Sequence, residues 1–326
     1  MRIPTRYLAV LTLILLLVPG ATAHAQTAVG VGLQDTIYRL TPASVFQEGC
    51  FGPCLCPVQF TDPVAGTFRL KPGLPDGWFR VYDIVEVNWF VPGRGLRVTG
   101  RGTYRVGGDF ALMHQLTLDL QADGREVQHY DSGLLLGGGS FPAIDLVVSV
   151  NGMVCHDSVF HVAALPVPPE ELTPYALYGS SYEEGCFGPC DCAVRERSLA
   201  GRFGLLKLGD LSGETEYAVL NVRWLVRGSY VAVTGAGILR DLTATKQEQM
   251  ILDLIEAGSG PTRFDSGVVA GDGSQRRIDL DLAANGFACY DRVYSLHARP
   301  HKSANAGATL QRVRPEPVAP GVSPSP

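Results

Sequence analysis

Residues 144–162 read IDLVVSVNGMVCHDSVFHV, and residues 278–296 read IDLDLAANGFACYDRVYSL. In both, apolar residues flank an Asn-Gly pair, Asn151-Gly152 in the first and Asn285-Gly286 in the second. Asn-Gly accepts the positive φ of a type I′ turn, so the spacing predicts a two-residue β-hairpin in each stretch. With that loop, positions summing to 303 face each other, placing Cys155 opposite Val148 and Asp157 opposite Leu146. If Ile144, Leu146, Val148 and Val150 form the core face, Asp157 points inward, and Asp291 does the same opposite Leu280.

Outward from the hairpins, the two halves of the chain correspond residue by residue. Cys50, Cys54 and Cys56 match Cys186, Cys190 and Cys192 at an offset of 136. Tyr82, Val87, Trp89 and Val91 match Tyr217, Val222, Trp224 and Val226 at 135, and Cys155 and Asp157 match Cys289 and Asp291 at 134. Such a period is a duplicated domain rather than a stacked solenoid repeat. Domain one is placed at 36–164 and domain two at 176–300. A proline-rich linker spans 165–175 between them, and an Ala, Pro and Ser-rich tail at 301–326 reads as disordered.

The dominant period within each copy is two. Val85, Val87, Trp89 and Val91 alternate with Glu86, Asn88 and Phe90, as Leu220, Val222, Trp224 and Val226 do with Asn221, Arg223 and Leu225. Both read as half-buried strands with tryptophan facing the core. Ala122-Asp123-Gly124 marks another hairpin, and no capped amphipathic helix of useful length is present. The expected fold class is all-β: two tandem antiparallel β-sandwich or open-barrel domains. The cysteine and tryptophan spacing differs from that of a true immunoglobulin domain.

EGCFGPCLC at 48–56 and EGCFGPCDC at 184–192 supply three cysteines per copy, and Cys155 and Cys289 supply the fourth. Four cysteines could form two disulfides or hold a zinc ion, and an oxidising compartment favours disulfides. Joining Cys54 to Cys56 would strain the ring. Cys50 therefore closes a tight loop with one of those two, and the other reaches Cys155. The EGCFGPCxC pattern resembles uncharacterised secreted bacterial domains; the resemblance covers both copies and implies no catalytic or binding residues.

Export is expected from the N-terminus. Arg2 and Arg6 precede an apolar run from Leu8 to Val18, and Ala23-His24-Ala25 offers a cleavage site, so 1–25 reads as a signal peptide. The run is too short to span a bilayer, for which roughly 20 residues are needed. The expected location is secreted, periplasmic or extracellular, without a membrane span. Formal charge is −5, falling to about −7 without Arg2 and Arg6, and no basic run invites nucleic acid.

Reactive constellations are sparse. Inward-facing Asp157 and Asp291 are candidate cation ligands, calcium foremost, with Asp131, Asp145, Asp265 and Asp279 as possible helpers; the alternative is an anchor to loop amides or an arginine. Cys155-His156 corresponds to Cys289-Tyr290, and none of the histidines within the two copies is duplicated. Gly137-Gly138-Gly139-Ser140 lacks the lysine and helix of a phosphate loop. Phe51 and Phe187 either plug their domains or present contacts. The leading expectation is a non-enzymatic binding, adhesion or envelope-structural protein whose partner is an extracellular protein or glycan. The rival is an exported enzyme or cation-dependent protein with its site at the domain interface.

Overall fold

A computed structural model describes residues 35–54, 59–211, 214–242, 244–271 and 277–301. The signal-peptide reading, Cys56 and the tail beyond His301 lie outside these residues. Domain one consists of β1 (Thr36–Leu40), β2 (Val45–Phe51), β3 (Gln59–Pro63), β4 (Ala65–Pro72), β5 (Phe79–Val91), β6 (Leu96–Gly107), β7 (Met113–Ala122), β8 (Gln128–Asp131), β9 (Leu135–Leu136), β10 (Ile144–Ser149) and β11 (Cys155–Pro166). Domain two consists of β12 (Thr173–Leu177), β13 (Ser180–Phe187), β14 (Arg195–Leu211), β15 (Glu214–Val226), β16 (Val231–Leu242), β17 (Gln247–Glu256), β18 (Thr262–Asp265), β19 (Val269–Ala270), β20 (Ile278–Ala283) and β21 (Cys289–Pro300).

Every pairing is antiparallel, as the alternating patterns predict, and each sheet returns on itself. In domain one β1 pairs with both β4 and β11, so the path β4-β5-β6-β7-β8-β10-β11-β1 closes into a ring. In domain two β14 pairs with β15 on one side and with β12 and β13 on the other, and β21 completes the circuit. Closure removes the exposed sheet edges that an open sheet must otherwise protect. The interiors are filled by side chains: Trp89 packs on Phe160 with ring centroids 5.4 Å apart, and Trp224 packs on Tyr294 at the same separation.

The tryptophan strands carry a bulge that sequence alternation alone does not reveal. Glu86 (φ 55°) and Asn221 (φ 54°) adopt left-handed backbone, and the register slips between Ile84 and Val87 and between Val219 and Val222. An extra residue reverses which face the preceding side chains occupy. Ile84 and Val219 therefore enter the cores in place of Val85 and Leu220. Leu220 joins Leu206 and Ala218 in a separate cluster against Ile37, Val167 and Leu172.

The hairpin register also differs from expectation. Ile144 pairs with Ala164, Leu146 with Val162 and Val148 with Phe160, a shift of five from the two-residue loop; Leu280 likewise pairs with Leu296. Cys155 and Asp157 pair with Phe51 and Gly49 of β2, not with β10. Because the shift is odd, the core face of β11 carries Phe160, Val162 and Ala164, and Asp157 lies on the opposite parity. The Asp123-Gly124 turn is as expected, with positive φ at both residues and β8 pairing back on β7.

Several contacts join the domains. Asn88, buried, donates its Nδ2 to Gly237 O at 2.7 Å. Arg69 donates to Asn221 Oδ1 at 2.6 Å, Arg97 meets Asp253 at 3.0 Å, and the Arg240 guanidinium lies over the Phe90 ring. Between β11 and β12 the chain makes one 3-10 turn, Pro169–Glu171, and Arg39 pairs with Glu171 at 2.6 Å.

Candidate functional site

The cysteines form covalent clasps. Cys54 is bonded to Cys155, Cys186 to Cys192 and Cys190 to Cys289; Cys50 is also disulfide-bonded, to a partner outside the described residues. Of the alternatives left open by the spacing, the middle cysteine of each cluster reaches the last strand. With their sulfurs in bonds, these cysteines offer neither zinc thiolates nor a nucleophile beside His156. Disulfides of this kind fit a non-cytoplasmic, oxidising compartment. No helix among the described residues is long and apolar enough to cross a membrane.

Asp157 and Asp291 are buried, but the barrel core is not what buries them. Asp157 Oδ1 accepts from Val150 N (3.1 Å), Asn151 N (3.0 Å) and Ser158 N (2.7 Å), and Oδ2 accepts from Met153 N (2.7 Å). Asp291 accepts from Asn285 N, Phe287 N and Arg292 N at 2.7–2.8 Å. These carboxylates anchor the hairpin loops. Ringed by N–H donors, their oxygens face positive dipole ends, the reverse of what a calcium ion requires. The other duplicated acids are dispersed: Asp131 and Asp265 cap Gly133 N and Gly267 N, while Asp145 and Asp279 engage His161 and His297. No group of metal-ligating side chains occurs among the described residues.

The remaining candidates resolve locally. Phe51 is buried, and Phe187, half-buried, packs edge-on against Phe287. Gly138 crosses the barrel end where an added Cβ would lie 2.9 Å from His114. His114 is fully buried, bonded through Nδ1 to Tyr104 Oη at 2.6 Å, and burial lowers its pKa.

Two features were not legible in advance. One is a cleft of about 870 Å³ between the domains, walled by β5, β6 and β7 on one side and β15, β16 and β17 on the other. It lies where the rival reading expected a site. Its charged groups include Arg69, Arg97, Arg263, Glu86, Asp123 and Asp253, most of them in ion pairs, with no serine, cysteine or histidine in the lining.

The other is an apolar crown at one end of domain one. Trp78 (75% exposed) and Leu74 project from the β4–β5 turn, Phe110 (99% exposed) and Leu112 from the β6–β7 loop, and Leu134, Leu135 and Leu136 from the connection after β8. These loops are neighbours: Gly108 N donates to Trp78 O, and Met113 pairs with Leu136. Isolated exposed apolar residues could have suggested it, but only the barrel order brings the three loops together. Comparison with protein families, with curated proteins and with solved structures gives no match.

Proposed function

We propose that this is an exported, non-enzymatic binding protein, built from two copies of one module, that engages an extracellular protein through the apolar crown of domain one. The crown is the observation that carries this reading. Seven large apolar side chains on three adjoining loops exceed the scattered exposure usual on a monomer, and contiguous patches of that kind mark interaction sites. The fold does not need them. Among the described residues, the corresponding β16–β17 turn of domain two carries Thr245 and Lys246, and Val268 and Val269 are the large apolar residues exposed in its longer connection. Catalysis is the weaker reading, because the cleft brings together ion pairs rather than a nucleophile with its base.

The test uses Trp78 itself. Trp89 and Trp224 are buried, so a change in tryptophan emission on binding reports the crown. A photocrosslinker at position 110 should capture a partner protein, and titration with that purified protein should shift Trp78 emission to the blue. The double variant Leu74→Ser, Phe110→Ser, which keeps Trp78 as the reporter, should weaken the titration at least tenfold while keeping the parent's circular dichroism. Unchanged binding by the variant, or emission that responds only to phospholipid vesicles or to glycans, would overturn the proposal.

A further inference from the structure

The interdomain cleft has a charge arrangement that structural ion pairing does not exhaust. Arg69 is satisfied by Glu86 at 3.0 Å and Asn221 at 2.6 Å, and Arg263 is shared between Asp123 and Asp253. Arg97 is different. It is 4% exposed, and its contacts with Asp253 (3.0 Å) and Asn88 (3.2 Å) both use Nη2, leaving Nε and Nη1 without an acceptor among the described residues. A guanidinium stays charged even when burial lowers its pKa, as it does here. A buried cation with donors to spare sets up a positive field that water screens poorly.

Two more cations line the same cleft, Lys71 from β4 and Arg223 from β15, and neither has a carboxylate within 4 Å among the described residues. Against them stands one acid without such a partner, Asp35. The excess of positive charge is local, since the chain as a whole carries −5. No aromatic ring lines the cleft, whereas Thr99, Thr234 and Gln121 offer hydroxyl and amide groups. That lining suits a polar ligand held by charge and hydrogen bonds rather than one held by stacking. Its volume falls within the range of small-molecule sites, roughly 300–1,000 Å³.

We infer that the interdomain cleft binds a small oxyanion-bearing solute, a carboxylate or sulfate on a polar skeleton, drawn in by Arg97 in the wall and held by Lys71 and Arg223. The site stands independently of the crown, because the two share no residue. It also gives the pairing of the domains a purpose, since neither domain alone supplies both Lys71 and Arg223.

The test is calorimetric titration of the two-domain protein at low ionic strength with D-glucuronate, succinate and inorganic sulfate, and with neutral glucose as control. At least one anion should bind saturably and glucose should not. The three arms separate a sugar acid, a simple dicarboxylate and a bare sulfate as the source of the charge. Affinity should fall at least tenfold in 0.5 M salt, where the Debye length has shrunk to about 4 Å. Lys71→Gln and Arg223→Gln should each cost about tenfold, a loss of about 1.4 kcal/mol, with melting unchanged. Thr234→Trp, which fills the cleft from an exposed strand position, should abolish binding. Arg97→Gln is informative where its circular dichroism matches the parent's, and the other variants carry the test without it. Absence of binding by all three anions at millimolar concentration would overturn the inference, as would retention of full affinity by both rim variants.

Discussion

Asp157 lies across from Gly49 on the neighbouring strand, as Asp291 lies across from Gly185, and each carboxylate collects the backbone N–H groups of a hairpin loop. The glycine of EGC and the aspartate of CxD are therefore parts of one device. Removing the carboxylate leaves buried donors unpaired, at about 1–3 kcal/mol for each group left unsatisfied. Asp157→Ala and Asp291→Ala should each lower stability by on the order of 3 kcal/mol or more, measured by urea denaturation. Gly185→Val should be comparably damaging, because even a Cβ there would lie 2.5 Å from Ala193 O. A loss under 1 kcal/mol for all three would show that the loops hold without this anchor.

The two kinds of disulfide should differ in worth. Cys54–Cys155 and Cys190–Cys289 span 101 and 99 residues, whereas Cys186–Cys192 spans 6. In the chain-entropy picture a long loop contributes about 4.7 kcal/mol and a six-residue loop about 2 kcal/mol. Replacing both cysteines of Cys190–Cys289 by serine should lower Tm by clearly more than the same change at Cys186–Cys192. Equal losses would place the stabilisation in native packing. Peptide mapping under non-reducing conditions checks the pairing itself.

Glu216 should give domain two a pH-dependent stability. It is buried on the face that also carries Ala218 and Leu220, its nearest cation, Arg240, is 3.8 Å away, and desolvation pushes its carboxyl from 4.5 up to about 7. A raised folded pKa means that the folded state holds this proton more tightly than the unfolded state. Its contribution is thus fully present below about pH 4.5 and is lost as pH rises through about 7. Glu216→Gln should flatten that decline and be the more stable protein at pH 8, by on the order of 1–3 kcal/mol. Parallel stability curves for parent and variant between pH 4.5 and 8 would refute it.

Asn88 should couple the unfolding of the two barrels. Its Nδ2 donates to Gly237 O across the interface while its Oδ1 accepts from Arg97. The parent should melt in one calorimetric transition. Asn88→Ala, losing both bonds and leaving Arg97 less satisfied, should destabilise by about 1–3 kcal/mol and separate the transition into two. A single transition at a lower temperature would mean that the apolar cluster around Leu206 and Leu220 suffices to hold the domains.

Period-two alternation made the all-β class legible, because a strand exposes its faces alternately whatever it packs against. Trp89 and Trp224 were placed correctly inside, since they lie beyond the bulge. Val85 and Leu220 were not, because a left-handed residue at Glu86 or Asn221 costs little in sequence space yet inverts the parity of everything before it. Asn151-Gly152 misled in the same way. A type I′ signal speaks only for its own turn, but the loop it sits in is closed by Asp157, six residues beyond Asn151 and four beyond Met153, and those carboxylate bonds hold the register five positions away from the short hairpin.

Residue type and spacing alone account for the alternation that makes strands, the paired positions in the two halves of the chain, and a cysteine set suited to stapling. Barrel closure of each sheet, the choice of cysteine that reaches the last strand, and the bonding of Asp157 and Asp291 to the hairpin-loop amides emerge only in three dimensions. So do the cleft and the crown. Their residues are scattered over strands and turns far apart in the chain, and they become neighbours only when barrel closure and domain docking bring distant backbone together.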